Sequence, residues 1–228
     1  MAARFAVIVP AAGRSTRFGG GSQNKLFTLL GGRPVWEHAI TRFLDRADVA
    51  RIVVAIAPED RPRFEAAPFS SRLTFVDGGA ERVDSIRAAL ERIGTDCEFV
   101  AVHDAARPCV SQSLIDRVFR AAESVGAALP GIPVADTLKR INPAGLLECT
   151  VPRLGLYAAQ TPQAFRTDWL IEAYAARGHE TPTDDAQLLE SLGYPCQLVE
   201  GSPLNLKLTR VDDLRLAEAI VAMERAQA

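Results

Sequence analysis

A turn of tiny side chains, Ala11-Ala12-Gly13, follows an apolar run ending at Pro10, and the cations Arg17 and Lys25 arrive only after it. Small residues leave main-chain N–H and C=O groups open to a ligand. A guanidinium can grip phosphate oxygens bidentately, while an ammonium acts as a compact point charge. Such a loop can read a base with its backbone and hold a polyphosphate with its side chains. Two other glycine loops are excluded. The dinucleotide pattern G-x-G-x-x-G fails because Ser15 and Phe18 occupy its later positions after Gly13. A P-loop fails because Phe18 is the fifth residue after Gly13 and Leu26 follows Lys25. Taken alone, the stretch also fits an ordinary strand-to-helix turn with surface cations.

The elements that position this loop follow from hydrophobic periodicity. Phe5 to Val9 is continuously apolar, as in a strand buried on both faces. Ile52 to Ala57, Leu73 to Val76 and Phe99 to Val102 read as further strands. Helical spacing links Trp36, Ile40 and Phe43 behind Pro34, then Val83, Ile86, Leu90 and Ile93, then Leu114, Ile115, Val118 and Phe119. Ala127 to Val134 resumes strand character. This alternation predicts an α/β fold with a mostly parallel sheet and helices on both faces. Ligands bind such sheets beyond the carboxyl ends of the strands. The loops at Pro10, Asp77 and Asp104 all follow strand ends, so they share one edge.

Residues 137–151 break the rhythm. Leu138 to Ile141 and Leu146 to Cys149 flank Asn142-Pro143-Ala144-Gly145, a hairpin signal within an α/β pattern, which predicts a projecting β-arm. Beyond it we expect helices over Trp169–Ala176 and Asp184–Leu192, and a last strand containing Lys207. Thr209-Arg210-Val211-Asp212 has capping-box spacing for a C-terminal helix. Residues 1–228 read as a single domain without repeat or linker, and for a complete chain of this length no fused second enzyme domain is expected.

With 228 residues, 48% hydrophobic and 24% charged, the chain has the balance of a globular enzyme. A net charge of −2 argues against a general nucleic-acid binder. Cys97, Cys109, Cys149 and Cys196 are widely spaced without neighbouring histidines, which favours free thiols over a metal or redox pair. No signal-peptide pattern opens the chain, and no apolar run reaches the ~20 residues of a membrane span. A cytoplasmic protein is expected, with no membrane partner.

Further motifs follow the first loop in order: Val76-Asp77-Gly78-Gly79 with Glu81-Arg82 and Ser85; Val102 to Pro108; Pro133 to Arg140; Gln160-Thr161-Pro162-Gln163; Thr183-Asp184-Asp185-Ala186; and Asn205 to Thr209. Together they resemble the 2-C-methyl-D-erythritol 4-phosphate cytidylyltransferase family, whose members belong to the nucleotidyltransferases. The likeness runs from Val7 to Thr209. Three positions depart from the family pattern. Ser15 replaces a second glycine, Asn24 a proline and Ala80 a polar or acidic residue, while every expected charged group is kept.

The resemblance implies a Rossmann-like nucleotidyltransferase sheet and transfer of a cytidylyl group from CTP to the phosphate of methylerythritol phosphate, with release of pyrophosphate. The nucleophile is already an anion, so alignment and charge stabilisation are needed rather than a general base. Arg17, Lys25 and Lys207 are then the catalytic cations, with Lys207 at the α-phosphate. Pro10, Ala11, Ala12, Gly13, Gly79, Ser85 and Ala105 bind the nucleotide. Asp104, Arg107, Thr137, Arg153 and Thr161 bind the acceptor. Mg²⁺ is the implied cofactor, with Asp104 as its carboxylate or as acceptor of a polyol hydroxyl. The arm implies a homodimer, across whose interface it reaches the partner's site. His103 reads better as a hydrogen-bonded core histidine, Ser85 serves either the base or the helix start, and Asp184 and Asp185 read as helix caps. His38 and His179 join no constellation.

Two rivals stand beside this reading. One keeps the fold but takes ribitol phosphate or a sugar 1-phosphate as acceptor. The other is a nucleotide-binding regulatory module without catalysis, which would not need a cation at the reacting phosphorus.

Overall fold

The computed structural model describes residues 4–13, 24–178 and 181–227. In chain order the regular elements begin with β1 (Phe5–Pro10), β2 (Leu29–Leu30), β3 (Arg33–Pro34), α1 (Val35–Leu44), β4 (Val49–Ile56) and α2 (Arg61–Glu65). Next come β5 (Leu73–Asp77), α3 (Arg82–Ile93), β6 (Phe99–Val102), α4 (Gln112–Val125) and β7 (Ala127–Pro133). The arm is β8 (Leu138–Ile141) with β9 (Leu147–Val151), followed by β10 (Tyr157–Ala159), β11 (Gln163–Arg166) and α5 (Thr167–Ala176). Last are α6 (Ala186–Ser191), β12 (Gln197–Glu200) and α7 (Asp212–Gln227).

The main sheet runs β10-β7-β11-β6-β1-β4-β5, with β12 also paired to β7. Strands β6, β1, β4 and β5 are parallel, as is β12 to β7. Antiparallel β11 is inserted between β6 and β7, and β10 pairs with β7 in the same sense. The parallel half is the part the sequence rhythm predicts. The mixed half follows from β10 and β11, whose short segments carry no clear alternation.

Period-two alternation sorts β1 between two cores. Phe5, Val7 and Val9 join Trp36, Ile40 and Phe43 of α1 and Leu114, Ile115, Val118 and Phe119 of α4. Ala6 and Ile8 face the other side, with Val83, Ile86 and Leu90 of α3, Leu170 and Tyr174 of α5, and Leu188 and Leu189 of α6. Helices therefore cover both faces. Ser111 starts α4 by accepting from Leu114 N–H, and Gly126 ends it at φ +103°, where an added Cβ would strike Trp169 at 2.3 Å.

A third apolar cluster joins Leu30, Val35 and Leu208 to Ala217, Ile220 and Val221 of α7, tying the C-terminal helix to the segment around Lys207. That segment is irregular rather than the strand expected from its apolar frame. Its regularity gives way to specific docking bonds, described below. The cap of α7 is shifted by one residue as well. Asp213, not Asp212, accepts from the backbone N–H of Thr209 and Arg210 and from the Thr209 hydroxyl.

The arm forms as expected, with Leu138 opposite Val151 and Asn142 Oδ1 accepting from Ala144 and Leu146 N–H in the turn. Its flanks expose Ile141, Leu146, Leu147 and Leu154, the last at 97%.

Candidate active site

Four parallel strands end on one edge, and their loops enclose a cleft of about 900 Å³. Pro10 to Gly13 follow β1, Ala57 and Pro58 follow β4, Gly78 to Ser85 follow β5, and Asp104 to Ala106 follow β6; Lys25, Leu26, Lys207 and Thr209 complete the lining. The β4 end was invisible as a site element because Ala57-Pro58 carries no chemistry of its own. Arg17 and Ser15 lie outside the described residues, as does His179.

The two backbone-rich loops are packed against each other. A Cβ on Gly78 would stand 2.3 Å from Ala12 Cβ and 2.9 Å from Ser85 Oγ, so only glycine lets the β5 loop approach the Ala12 turn. Ser85 is buried and its hydroxyl accepts from Gly79 N–H at 3.1 Å while donating to the Glu81 carbonyl. Glu81 and Asp84 form the reciprocal capping box that starts α3. The Ser85 hydroxyl thus lines the cleft and braces the helix start.

Asp104 is the electrostatic centre. It is 7% exposed, with Lys207 Nζ at 2.8 Å, Arg107 Nε at 3.6 Å and Arg82 Nε at 3.7 Å from its carboxylate. Burial alone would push the carboxyl upward, but Lys207, Arg82 and Arg107 together hold it well below the usual carboxylate range. Arg82 sits at the first position of α3. Its role is not legible in the sequence, since its partners Asp104 and Asp185 are distant in the chain.

Behind Asp104 lies a fixed relay. His103 Nε2 is 3.1 Å from the Arg107 carbonyl, which can only accept, so Nε2 carries the proton. Burial drives the His103 pKa down to about 4, leaving Nδ1 unprotonated and accepting from the Thr161 hydroxyl at 3.2 Å. The same hydroxyl accepts from Asp104 N–H at 3.0 Å. His103 is thus the core histidine its sequence setting suggested. Thr161 is buried and engaged with this relay, so its hydroxyl braces the Asp104 backbone.

Arg107 is turned beneath Asp104. Its Nη1 donates to the Asn205 carbonyl at 2.7 Å, and the side chain is buried outside the cleft lining. In this structure one end of the guanidinium is held by the Lys207 segment, while its buried Nε has no hydrogen-bond partner among the described residues. That segment is stitched in place by Leu208 N–H to the Ala106 carbonyl and by Lys25 Nζ to the Leu208 carbonyl, 2.8 and 2.7 Å. Asn205 adds a bond from Nδ2 to the Thr161 carbonyl. Lys25 and Lys207, far apart in sequence, are brought to one wall. Thr137 and Arg153 are exposed beside the arm and do not line this chain's own cleft.

The capping role expected for the acidic pair divides. Asp184 accepts from Gln187 N–H at the start of α6, whereas Asp185 makes no cap bond and is buried against Arg82 and Tyr174.

The 2-C-methyl-D-erythritol 4-phosphate cytidylyltransferase model matches residues 5–223. The chain belongs to that family. It is 47% identical over 235 residues to the cytidylyltransferase of Rhodopirellula baltica, covering 96% of each, and 40% identical to that of Bacillus mycoides, covering 97% of this chain and 99% of the relative. The crystal structure of the Thermus thermophilus cytidylyltransferase superposes with a TM-score of 0.79 at 37% identity, over 94% of this chain and 98% of that one. Cytidylyl transfer from CTP to methylerythritol phosphate in isoprenoid precursor synthesis is accordingly the activity this fold serves. Among the described residues of this cytidylyltransferase, no helix is long and apolar enough to cross a membrane.

Proposed function

We propose a division of labour in the cleft for that reaction. Ala11, Ala12, Gly13, Gly79 and Ala105 present main chain to the cytosine and ribose, with Ser85 fixing the Gly79 amide. Arg17 and Lys25 hold the triphosphate. Asp104 orients the polyol hydroxyls of the acceptor. Lys207 leaves Asp104 to meet negative charge as it grows around the α-phosphorus. The phosphate of the acceptor attacks that phosphorus, the new P–O bond forms, and the bond to the leaving pyrophosphate breaks with its electron pair.

The observation carrying this reading is the Lys207–Asp104 pair in the lining of a cleft walled by glycine-rich backbone. An ammonium paired at 2.8 Å is preorganised, and a polyanion offers it a stronger partner than one carboxylate.

Among the described residues no three acidic, histidine or cysteine side chains gather as a standing metal site, and Asp104 is already ion-paired. That donor set fits Mg²⁺ carried in on triphosphate oxygens and water, with Asp104 as its single protein carboxylate. Bound there, the metal would neutralise phosphate charge.

We infer that the arm completes the site of a second copy. Thr137 and Arg153 flank it away from their own cleft, and its apolar flanks need cover. The phosphorylated, water-soluble substrates favour a cytoplasmic enzyme, working on this reading as a homodimer.

A pyrophosphate-release screen of four nucleotides against methylerythritol phosphate, ribitol phosphate and sugar 1-phosphates tests the assignment. CTP with methylerythritol phosphate should dominate. Preference for another pair would replace the acceptor, and turnover-free nucleotide binding would favour the regulatory reading.

A further inference from the structure

Asp185 is a fully buried carboxylate that caps nothing. Arg82 Nη2 donates to its Oδ2 at 2.8 Å, and the Tyr174 hydroxyl donates to its Oδ1 at 2.6 Å. Each oxygen therefore has its own donor, from α3 on one side and α5 on the other. Arg82 continues the line into the cleft, with Nε 3.7 Å from Asp104 Oδ1. Burial works against a charged Arg82, yet Asp185 and Asp104 outweigh it and raise the guanidinium pKa above its ordinary value. Burial and then Asp185 likewise hold the Tyr174 phenol protonated.

A buried ion pair is weak evidence for stability, since apolar residues of similar volume often serve as well. The arrangement is better matched to precision at the cleft. Arg82 begins the helix that follows the Gly78-Gly79 wall after Ala80 and Glu81, so whatever fixes its side chain also bears on the relation of that wall to Asp104. An arginine with two carboxylates in reach needs one of them immobile to keep the other in register.

We propose that Asp185 is a positioning residue for cytidylyl transfer: with Tyr174, it sets the Arg82 guanidinium that holds Asp104 ready for the acceptor. This rests on the role given to Asp104 above. Asp185 touches no substrate and acts through Arg82.

The test is a double-mutant cycle on the full chain with CTP, Mg²⁺ and methylerythritol phosphate, at a temperature where every variant is folded by circular dichroism. Asp185→Asn keeps the shape and an acceptor for Tyr174. It should lower kcat/KM by about 10- to 100-fold, the scale of a hydrogen bond to a charged group. In an Arg82→Met background the same change should cost nearly nothing further, because the residue it positions is gone. Tyr174→Phe, which leaves the ion pair intact, gives a second cycle should Asp185→Asn fail to fold. Its loss should be about 5-fold in wild type and absent in Arg82→Met. Losses that add across either cycle while following Tm describe a merely structural acid and overturn the proposal. A wild-type protein inactive on these substrates overturns the reaction assignment as well, so the two failures are distinguishable.

Discussion

Lys207 Nζ donates to Asp104 Oδ2 across 2.8 Å, although Asp104 follows the end of a sheet strand and Lys207 sits in an irregular segment of the C-terminal region. The pair joins two lining residues of the cleft that lie far apart in the chain. On the proposed division of labour, Lys207 exchanges this carboxylate for the nucleotide's phosphates, which would couple nucleotide entry to the orientation of Asp104.

The buried His103 gives stability a pH dependence of known sign. Its folded pKa, about 4, lies below the ~6.5 of an exposed histidine. Between those values the unfolded chain binds the extra proton and the folded chain does not, so stability is lost as pH falls from about 6.5 towards 4. Urea unfolding at steps through this window should show a steady decline, and His103→Gln should flatten it. An equally steep decline in His103→Gln would place the titrating group elsewhere.

Gly78 tests the packing of the two backbone loops. Gly78→Ala adds a Cβ 2.3 Å from Ala12 Cβ and must push the walls apart. Overpacking of this kind costs about 1–3 kcal/mol. Calorimetric titration should show weakened CTP binding along with a lower Tm. Unchanged CTP affinity would mean that this wall does not read the nucleotide.

Sharing of sites between two copies is tested by complementation. Lys25→Met and Arg153→Ala should each be nearly inactive as homodimers. If Arg153 serves the partner's cleft, a mixed dimer regains one intact site, and random pairing of equal amounts should return about a quarter of wild-type activity. Isolated mixed dimers as inactive as their parents would confine Arg153 to its own chain or remove it from the site.

The parallel half of the fold was legible because β1, β4 and β6 are apolar runs whose ends carry the motifs. The arm was legible from Asn142 to Gly145. The segment around Lys207 misled because Leu206 and Leu208 imitate strand alternation, whereas Leu208 is buried against α7 and the backbone is held by Ala106 and Lys25. The bonds of Arg107 Nη1 to the Asn205 carbonyl and of the Thr161 hydroxyl to His103 were not legible, because those partners meet only through tertiary packing. Asp185 read as a cap because its partners, Arg82 and Tyr174, converge only through tertiary packing.

Lys207→Met, measured for both kcat and CTP affinity, tests most directly whether Lys207 stabilises charge arising in the transition state. The expected result is a fall in kcat of ~10²–10³ with CTP binding little changed, as for one preorganised stabiliser lost. A variant with wild-type kcat and only a raised KM would contradict it, leaving Lys207 a ground-state anchor for the nucleotide.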